Sequence, residues 1–268
     1  MLTLQQILNT QSPLLENARV KIVRHKDDRI EYREMLKSRD LSLEYQKKQS
    51  KHVFKNCDYI ISFIGTERGQ SILFGVFKVN GYEFKNNHYY YRLDQVNEFN
   101  SLIDRLVINW GNSTRSWHQY YHSKPKEVIQ ILPSGYIGEF PGLLSFVLEF
   151  DELKKLVDNP DANYKWRHPL SSVNGIYMIL DNRTGNQYIG SANGKNGIWQ
   201  RWGEYVSNYT GGNKRLTALI KSDPNYYKNF RYSVLQTLPS NITKKEIDSI
   251  EKLYKEKLGS KAHGLNAN

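Results

Sequence analysis

The stretch Asn174–Gly190, NGIYMILDNRTGNQYIG, decides how the C-terminal third of the chain folds. Gly175-Ile176-Tyr177 is followed, after ten intervening residues, by the near-echo Tyr188-Ile189-Gly190. Ile176, Met178 and Leu180 alternate with Tyr177 and Ile179, the period of two that gives a strand two different faces. Asp181-Asn182-Arg183-Thr184-Gly185 is turn chemistry, and Gln187 to Ile189 resumes an extended run. The stretch therefore predicts one β-hairpin. Tight closure around Asn182 and Arg183 sets Tyr177 and Tyr188 directly opposite on one face, with Cβ atoms about 4.5–5.5 Å apart. A slip of one residue would send them to opposite faces.

Two helices follow, each with a charge on its apolar side. In Ile198–Tyr209, the residues Ile198, Trp202, Tyr205 and Tyr209 form one stripe at helical spacing. Arg201 falls on that stripe. Its position fits either an arginine lying across an aromatic edge or one that holds a phosphate. The second helix spans 244–258. Thr243 and Glu246 have the spacing of a capping box, and Gly259 stands where a helix ends in the left-handed conformation. Its stripe is Ile247, Ile250, Tyr254 and Leu258, and Glu251 lies on the same side. A carboxylate there is costly unless a cation or metal compensates it. Asp248 and Glu256 lie off the stripe and read as solvated charge.

The bulk properties narrow the setting. The 268 residues suit one large or two ordinary domains. No apolar run reaches the ~18 residues of a membrane span, and the start MLTLQQILNTQSP lacks the basic and apolar stretches of a signal peptide. One cysteine, Cys57, leaves no internal disulfide and no cysteine-based zinc site, and the expectation is a cytoplasmic protein with a buried thiol. The formal net charge is +11. Residues 171–268 carry 14 Lys and Arg against 7 Asp and Glu, whereas residues 1–170 carry 24 against 20. The C-terminal third is thus the more basic per residue, as a surface facing a polyanion would be.

The first 160 residues have a different texture. Residues 28–48 read as one charged helix or two short ones. DYIISFIG (58–65), QSILFGVFKV (70–79), HYYYRLDQV (88–96), RLVINW (105–110) and LLSFVLEF (143–150) are β-branched and aromatic runs between turns. That spacing predicts a small curved sheet or partial barrel, closed by a short helix over 151–160. The polar, proline-containing 158–172 reads as the boundary, giving a first domain of 1–160, a linker of 161–171 and a second domain of 172–268. NHYYYR (87–92) and NWGNSTRSWHQYYH (109–122) concentrate aromatic and basic side chains, with Trp110, Arg115 and Trp117 as candidate base or backbone contacts; an aromatic barrel core is the competing reading. His88, His118 and His122 have no metal-ligand spacing.

Taken together, the C-terminal residues resemble the GIY-YIG nuclease superfamily. Both tripeptides are present without substitution, followed in order by Arg201 on the next helix, Glu251 on a later one and Asn266 in HGLN. The resemblance spans roughly 171–268 and implies a small antiparallel sheet flanked by helices, hence an α+β protein. It implies Mg²⁺- or Mn²⁺-assisted hydrolysis of double-stranded DNA. Glu251 would be the single protein ligand to the metal and Arg201 the phosphate-holding cation. Tyr177 is the first choice of base, with Tyr188, Arg201, Tyr205 or Lys195 favouring its phenolate, and Tyr205 stands where some relatives carry histidine. Asn266 would position the last helix or the site by its amide. Gly211–Arg215, GGNKR, offers Lys214 and Arg215 as contacts to the DNA backbone or is a solvated turn.

The N-terminal pattern is loosely similar to the PUA-like and EVE group of modified-base readers. On that resemblance the chain is a restriction-type enzyme that reads modified bases, with a homodimer for double-strand cleavage. A structure-specific or repair nuclease and a catalytically silent DNA-binding protein are the alternatives, and the intact set Tyr177, Tyr188, Arg201, Glu251 argues against silence.

Overall fold

A computed structural model of the chain describes residues 1–26, 38–66, 69–111 and 117–267. Its packing divides into two compact units, Met1–Pro133 and Ser134–Asn268.

The first unit opens with helix α1 (Leu4–Gln11), whose capping box joins Thr3 and Gln6. Then come β1 (Val20–His25), helix α2 (Arg39–Lys47), β2 (Lys48–Gln49), β3 (Tyr59–Gly65), β4 (Gln70–Lys85), β5 (His88–Gln95), β6 (Leu106–Asn109), β7 (His118–Tyr120) and β8 (Val128–Ile131). They form one sheet in the order β2-β5-β4-β3-β1-β7, with β6 pairing both β4 and β8. Only β1 and β3 among these pairs run parallel. The long β4 gives its beginning, Gln70–Ile72, to β6 and its later part, Phe77–Lys85, to β5. Bulges at Ser62/Phe63 and Val79/Tyr82 add twist. The sheet is curled, a partial barrel as the strand spacing predicts.

Both faces of its centre are covered. Ile22 and Ile61 point into a core with Leu4, Leu8, Phe99 and Trp110. Their neighbours Val23 and Ile60 point the other way, towards Phe54, Phe74 and Phe77. This explains why all six residues of β1 are buried instead of alternating. The C-terminal part of the charged 28–48 stretch is α2; the part up to residue 37 lies outside the described residues.

The second unit is built on four antiparallel strands in the order β11-β10-β12-β9, with β9 (Leu148–Glu149), β10 (Asn174–Asp181), β11 (Gln187–Ala192) and β12 (Phe230–Leu238). Its helices are α3 (Phe150–Asp158), α4 (Tyr164–Ser172), α5 (Gly197–Asn208), α6 (Lys214–Ser222) and α7 (Lys244–Lys257). The two faces of β10 go where the alternation assigns them. Tyr177 and Ile179 enter the larger core with residues of α3, α4, α5 and α6. Ile176 enters the smaller one with Ile189, Leu238 and Ile247 of α7, and Met178 packs against it.

Three expectations for the middle of the chain are corrected. Within the run 143–150 only Leu148–Glu149 is strand, and Phe150 already begins α3. Residues 161–171 are no linker: most of them form α4, whose Trp166 and Leu170, four apart, are 4% and 0% exposed. The chain divides between its two compact units after Pro133, well before the polar stretch. Asn163 supplies the reason. Its side chain accepts from Ile137 N (3.0 Å) and donates to Gly135 O (2.9 Å), while Trp166 Nε1 donates to Gly138 O (2.8 Å). These bonds tie residues 135–138 to α4, and a polar composition hid them. Trp166→Ala should therefore lower the unfolding free energy of the second unit by about 3–5 kcal/mol. Chemical denaturation would measure this, and a loss under ~0.5 kcal/mol, typical of an exposed position, would contradict it.

Candidate active site

The hairpin does not close as tightly as its sequence predicts. Tyr177 pairs with Gly190 and Tyr188 with Ile179, a register two residues away from the predicted one. Asp181 sets the wider turn: its carboxylate accepts from Arg183 N (3.0 Å) and from the hydroxyls of Thr184 (2.6 Å) and Tyr226 (2.8 Å), and Asp181 N reaches Asn186 O (2.9 Å). A shift of two keeps both tyrosines on one face, but diagonally, with ring centroids 6.4 Å apart. The residue opposite Tyr177 is glycine for a steric reason. A Cβ on Gly190 would lie 2.4 Å from the Tyr177 hydroxyl and 2.5 Å from its ring.

Helix α5 brings the arginine. Ile198, Trp202 and Tyr205 are buried, which turns Arg201 towards the tyrosines. Arg201 Nε donates to the Tyr177 hydroxyl (3.1 Å), and Nη2 donates to Gly211 O (3.0 Å) and, more weakly, to the Tyr205 hydroxyl (3.4 Å). Nη1 is paired with Glu204, and the guanidinium lies 5.1 Å from the Tyr205 ring centroid. The Tyr177 and Tyr205 hydroxyls are themselves bonded at 2.9 Å. The aromatic neighbour of Arg201 is the Tyr205 ring, and the arginine also lines an open cleft. Burial, reinforced by the neighbouring Tyr188, raises the Tyr177 phenol well above its ordinary value, against the pull of Arg201. Burial likewise raises Tyr205, and Tyr232 beneath them.

The carboxylate arrives from the other side of the sheet edge. The capping box on Thr243 and Glu246 starts α7, and Gly259, at φ 61°, follows its end. Glu251 Oε2 accepts from the Ser191 hydroxyl, and Oε1 pairs with Lys255 Nζ at 2.6 Å. The chain then returns to the hairpin. Asn266 is 3% exposed, and its amide both accepts from Ile189 N (2.8 Å) and donates to Ile189 O (2.8 Å). It thus serves β11 as a partner strand would, holding the C-terminal segment against the second tripeptide.

Tyr188, Arg201 and Glu251 line both lobes of one cleft. Ser191, Gln200 and Glu204 border the first lobe, and Gly211, Gly212, Asn213, Lys214, Lys255 and Asn266 the second. Tyr177 and Tyr205 lie behind it, each 0% exposed, and reach it only through Arg201. Among the described residues no three His, Cys, Asp or Glu side chains converge. With Glu204 paired to Arg201, Glu251 is the carboxylate that remains to hold an ion, and such a sparse donor set fits an ion that keeps most of its waters, as Mg²⁺ does.

The remaining candidates are dispersed. Lys195 is exposed and does not line the cleft. Arg215 is turned to Gly264 O in the C-terminal segment. In the first unit Trp110 is 1% exposed in the core, flanked by Arg24 and Lys126, so the aromatic-core reading applies to it and stacking on a base does not. Trp117 is partly buried beside Phe54, His25 and His118. Arg115 lies outside the described residues.

With this geometry in place, the comparison with known proteins is direct: residues 173–266 match the GIY-YIG catalytic domain family. This segment is a GIY-YIG domain. Among curated proteins the chain is similar to the "Probable intron-encoded endonuclease bI1" of Neurospora crassa, 32% identical over 101 residues. That match covers 37% of this chain and only 22% of the relative's length. Among solved structures it is similar to the catalytic domain of the homing endonuclease I-TevI at 25% identity, covering 35% of this chain and 98% of that one, with a TM-score of 0.29. A point mutant of the same domain gives 24% identity, 36% and 94% coverage and the same TM-score.

Sequence reasoning missed Ser191, Glu204 and Lys255. Their signals are simple in retrospect: Ser191 follows the YIG tripeptide, Glu204 is three residues from Arg201 and Lys255 four from Glu251. The buried phenols also give the domain a pH limit. Their folded-state values are raised, so the stability they contribute is complete below the ordinary tyrosine pKa of about 10 and is lost as pH climbs beyond it. In an alkaline titration followed at the tyrosinate absorbance, a subset of the 19 tyrosines should ionise only together with unfolding. A single transition near pH ~10 with the fold intact would contradict this.

Proposed function

We propose that the protein is a divalent-metal-dependent DNA endonuclease. The observation that carries this is the convergence of Arg201, Glu251 and Tyr188 on one cleft of a GIY-YIG domain. Arg201, already bonded to Tyr177 and Gly211, holds a phosphodiester oxygen and offsets the charge that grows in the transition state. Glu251 holds the ion, which when bound polarises the phosphate and stabilises the leaving oxygen. A tyrosine phenolate takes the proton of the attacking water and becomes the neutral phenol. Tyr188 opens to the cleft, whereas Tyr177 has no exposed surface; we therefore move the acid–base role to Tyr188 and leave Tyr177 to orient Arg201. Lys214 lines the second lobe of the cleft, which supports its reading as a contact to the DNA backbone.

We assign substrate choice to the first unit. The β4–β5 hairpin presents Tyr82 and Phe84, 44% and 55% exposed, on one face with Tyr89 and His52, whose rings stack at 4.5 Å. Lys85, Lys48 and Tyr90 share the other face. Exposed aromatic rings on one face suit stacking on unpaired or extruded bases, and the cations on the other suit a nucleic-acid backbone. On this reading the chain is a restriction-type enzyme acting on double-stranded, base-modified DNA in the cytoplasm, and two copies combine to cut both strands. The Mg²⁺ or Mn²⁺ requirement belongs to the same proposal. No described helix is long and apolar enough to cross a membrane.

The test incubates the full chain with Mg²⁺ and plasmid, branched and base-modified phage DNAs, beside Glu251→Ala. The wild type should cut at least one substrate. The variant should bind it within about twofold and cut it at least ~10³-fold more slowly, the loss of one large transition-state interaction. Equal cutting by the variant, or none by the wild type, would overturn the reading. Equal binding of Glu251→Ala to modified and unmodified duplexes would remove base modification as the signal.

A further inference from the structure

We propose that Lys255 is the resident counter-cation of Glu251, and that a divalent ion enters the site by displacing its ammonium. The proposal rests on the reading of Glu251 as the metal ligand. Lys255 follows Glu251 by one helical turn on α7, and the two side chains are only 14% and 18% exposed. Nζ sits 2.6 Å from Oε1, while Ser191 occupies Oε2. Both oxygens of the carboxylate are therefore engaged, the first by a full positive charge. An ammonium and a divalent ion cannot share Oε1 without strong repulsion in a partly desolvated cleft.

The geometry also says where the ammonium goes. Lys255 lines the second lobe together with Arg201 and Lys214. Once released from Glu251 it meets two other cations there, an arrangement that needs an anion between them. A phosphate of the DNA backbone supplies that anion. Entry of metal and entry of phosphate are thereby coupled: each lowers the cost of the other, and the coupling is reciprocal. In the free protein the lysine keeps the carboxylate compensated, which removes the cost of a lone, half-buried charge.

The experiment measures Mn²⁺ binding to the full-length protein by calorimetry at neutral pH without DNA. Lys255→Met should bind Mn²⁺ about tenfold more tightly than wild type, the order expected when one close like charge is removed from a partly screened site. Lys255→Arg, which keeps the charge, should bind as wild type does, and Glu251→Gln should not bind. Lys255→Gln, which removes the charge but keeps a hydrogen-bond donor, gives the same reading should the methionine variant not fold. If Glu251→Gln binds as wild type does, the metal-ligand assignment fails and this proposal with it. If Glu251→Gln abolishes binding but Lys255→Met and Lys255→Gln bind no more tightly than wild type, only the role of Lys255 is overturned.

Discussion

A guanidinium held against buried phenols is the constraint around which the second unit is arranged. Arg201 is in a position where its charge is costly unless every side of it is answered. The Tyr177 hydroxyl, the Gly211 carbonyl and Glu204 answer three directions, with Tyr205 beneath. Each of those partners makes a further demand. The Tyr177 ring needs a residue without a side chain across the hairpin, which is Gly190. Tyr205 requires the same of Gly211, where a Cβ would lie 2.5 Å from its ring. The glycine of one tripeptide and the tyrosine of the other are thus halves of a single packing contact, and the direction left open for Arg201 is the cleft.

The acid across the cleft is answered differently. Glu251 depends on neighbours that could leave: a serine hydroxyl on one oxygen and a lysine ammonium on the other. Arg201 is built in on three sides, so it is suited to hold its place while a substrate charge changes. Glu251 is built to exchange a partner. Asn266 keeps the two halves in register by bonding both polar groups of Ile189, one residue from Tyr188.

Much of the site was legible because its residues obey strong local periodicities. Period two separated Tyr177 from Ile176, the capping box fixed the start of α7, and the apolar stripes turned Arg201 and Glu251 inwards. The register of the hairpin was not legible, because it is set by the Asp181 carboxylate organising a wider loop and by Tyr226, 45 residues away. The role of α4 was hidden in a polar stretch whose decisive features, Asn163 and Trp166, make their bonds to backbone carbonyls at residues 135 and 138. In the first unit, alternation failed for β1 because both faces of the sheet are covered, and Trp110 looked like a ligand contact because aromatic density does not distinguish a core from a surface.

The central claim is that Arg201, Glu251 and Tyr188 act on one phosphate. A crystal structure of the Glu251→Gln protein bound to an uncut duplex tests it most directly. The account predicts a backbone phosphate in the cleft, one of its oxygens within about 3 Å of the Arg201 guanidinium, with Tyr188 facing the phosphorus from the side opposite the leaving oxygen. A duplex seated elsewhere on the second unit, with Arg201 still enclosed and touching no phosphate, would contradict it.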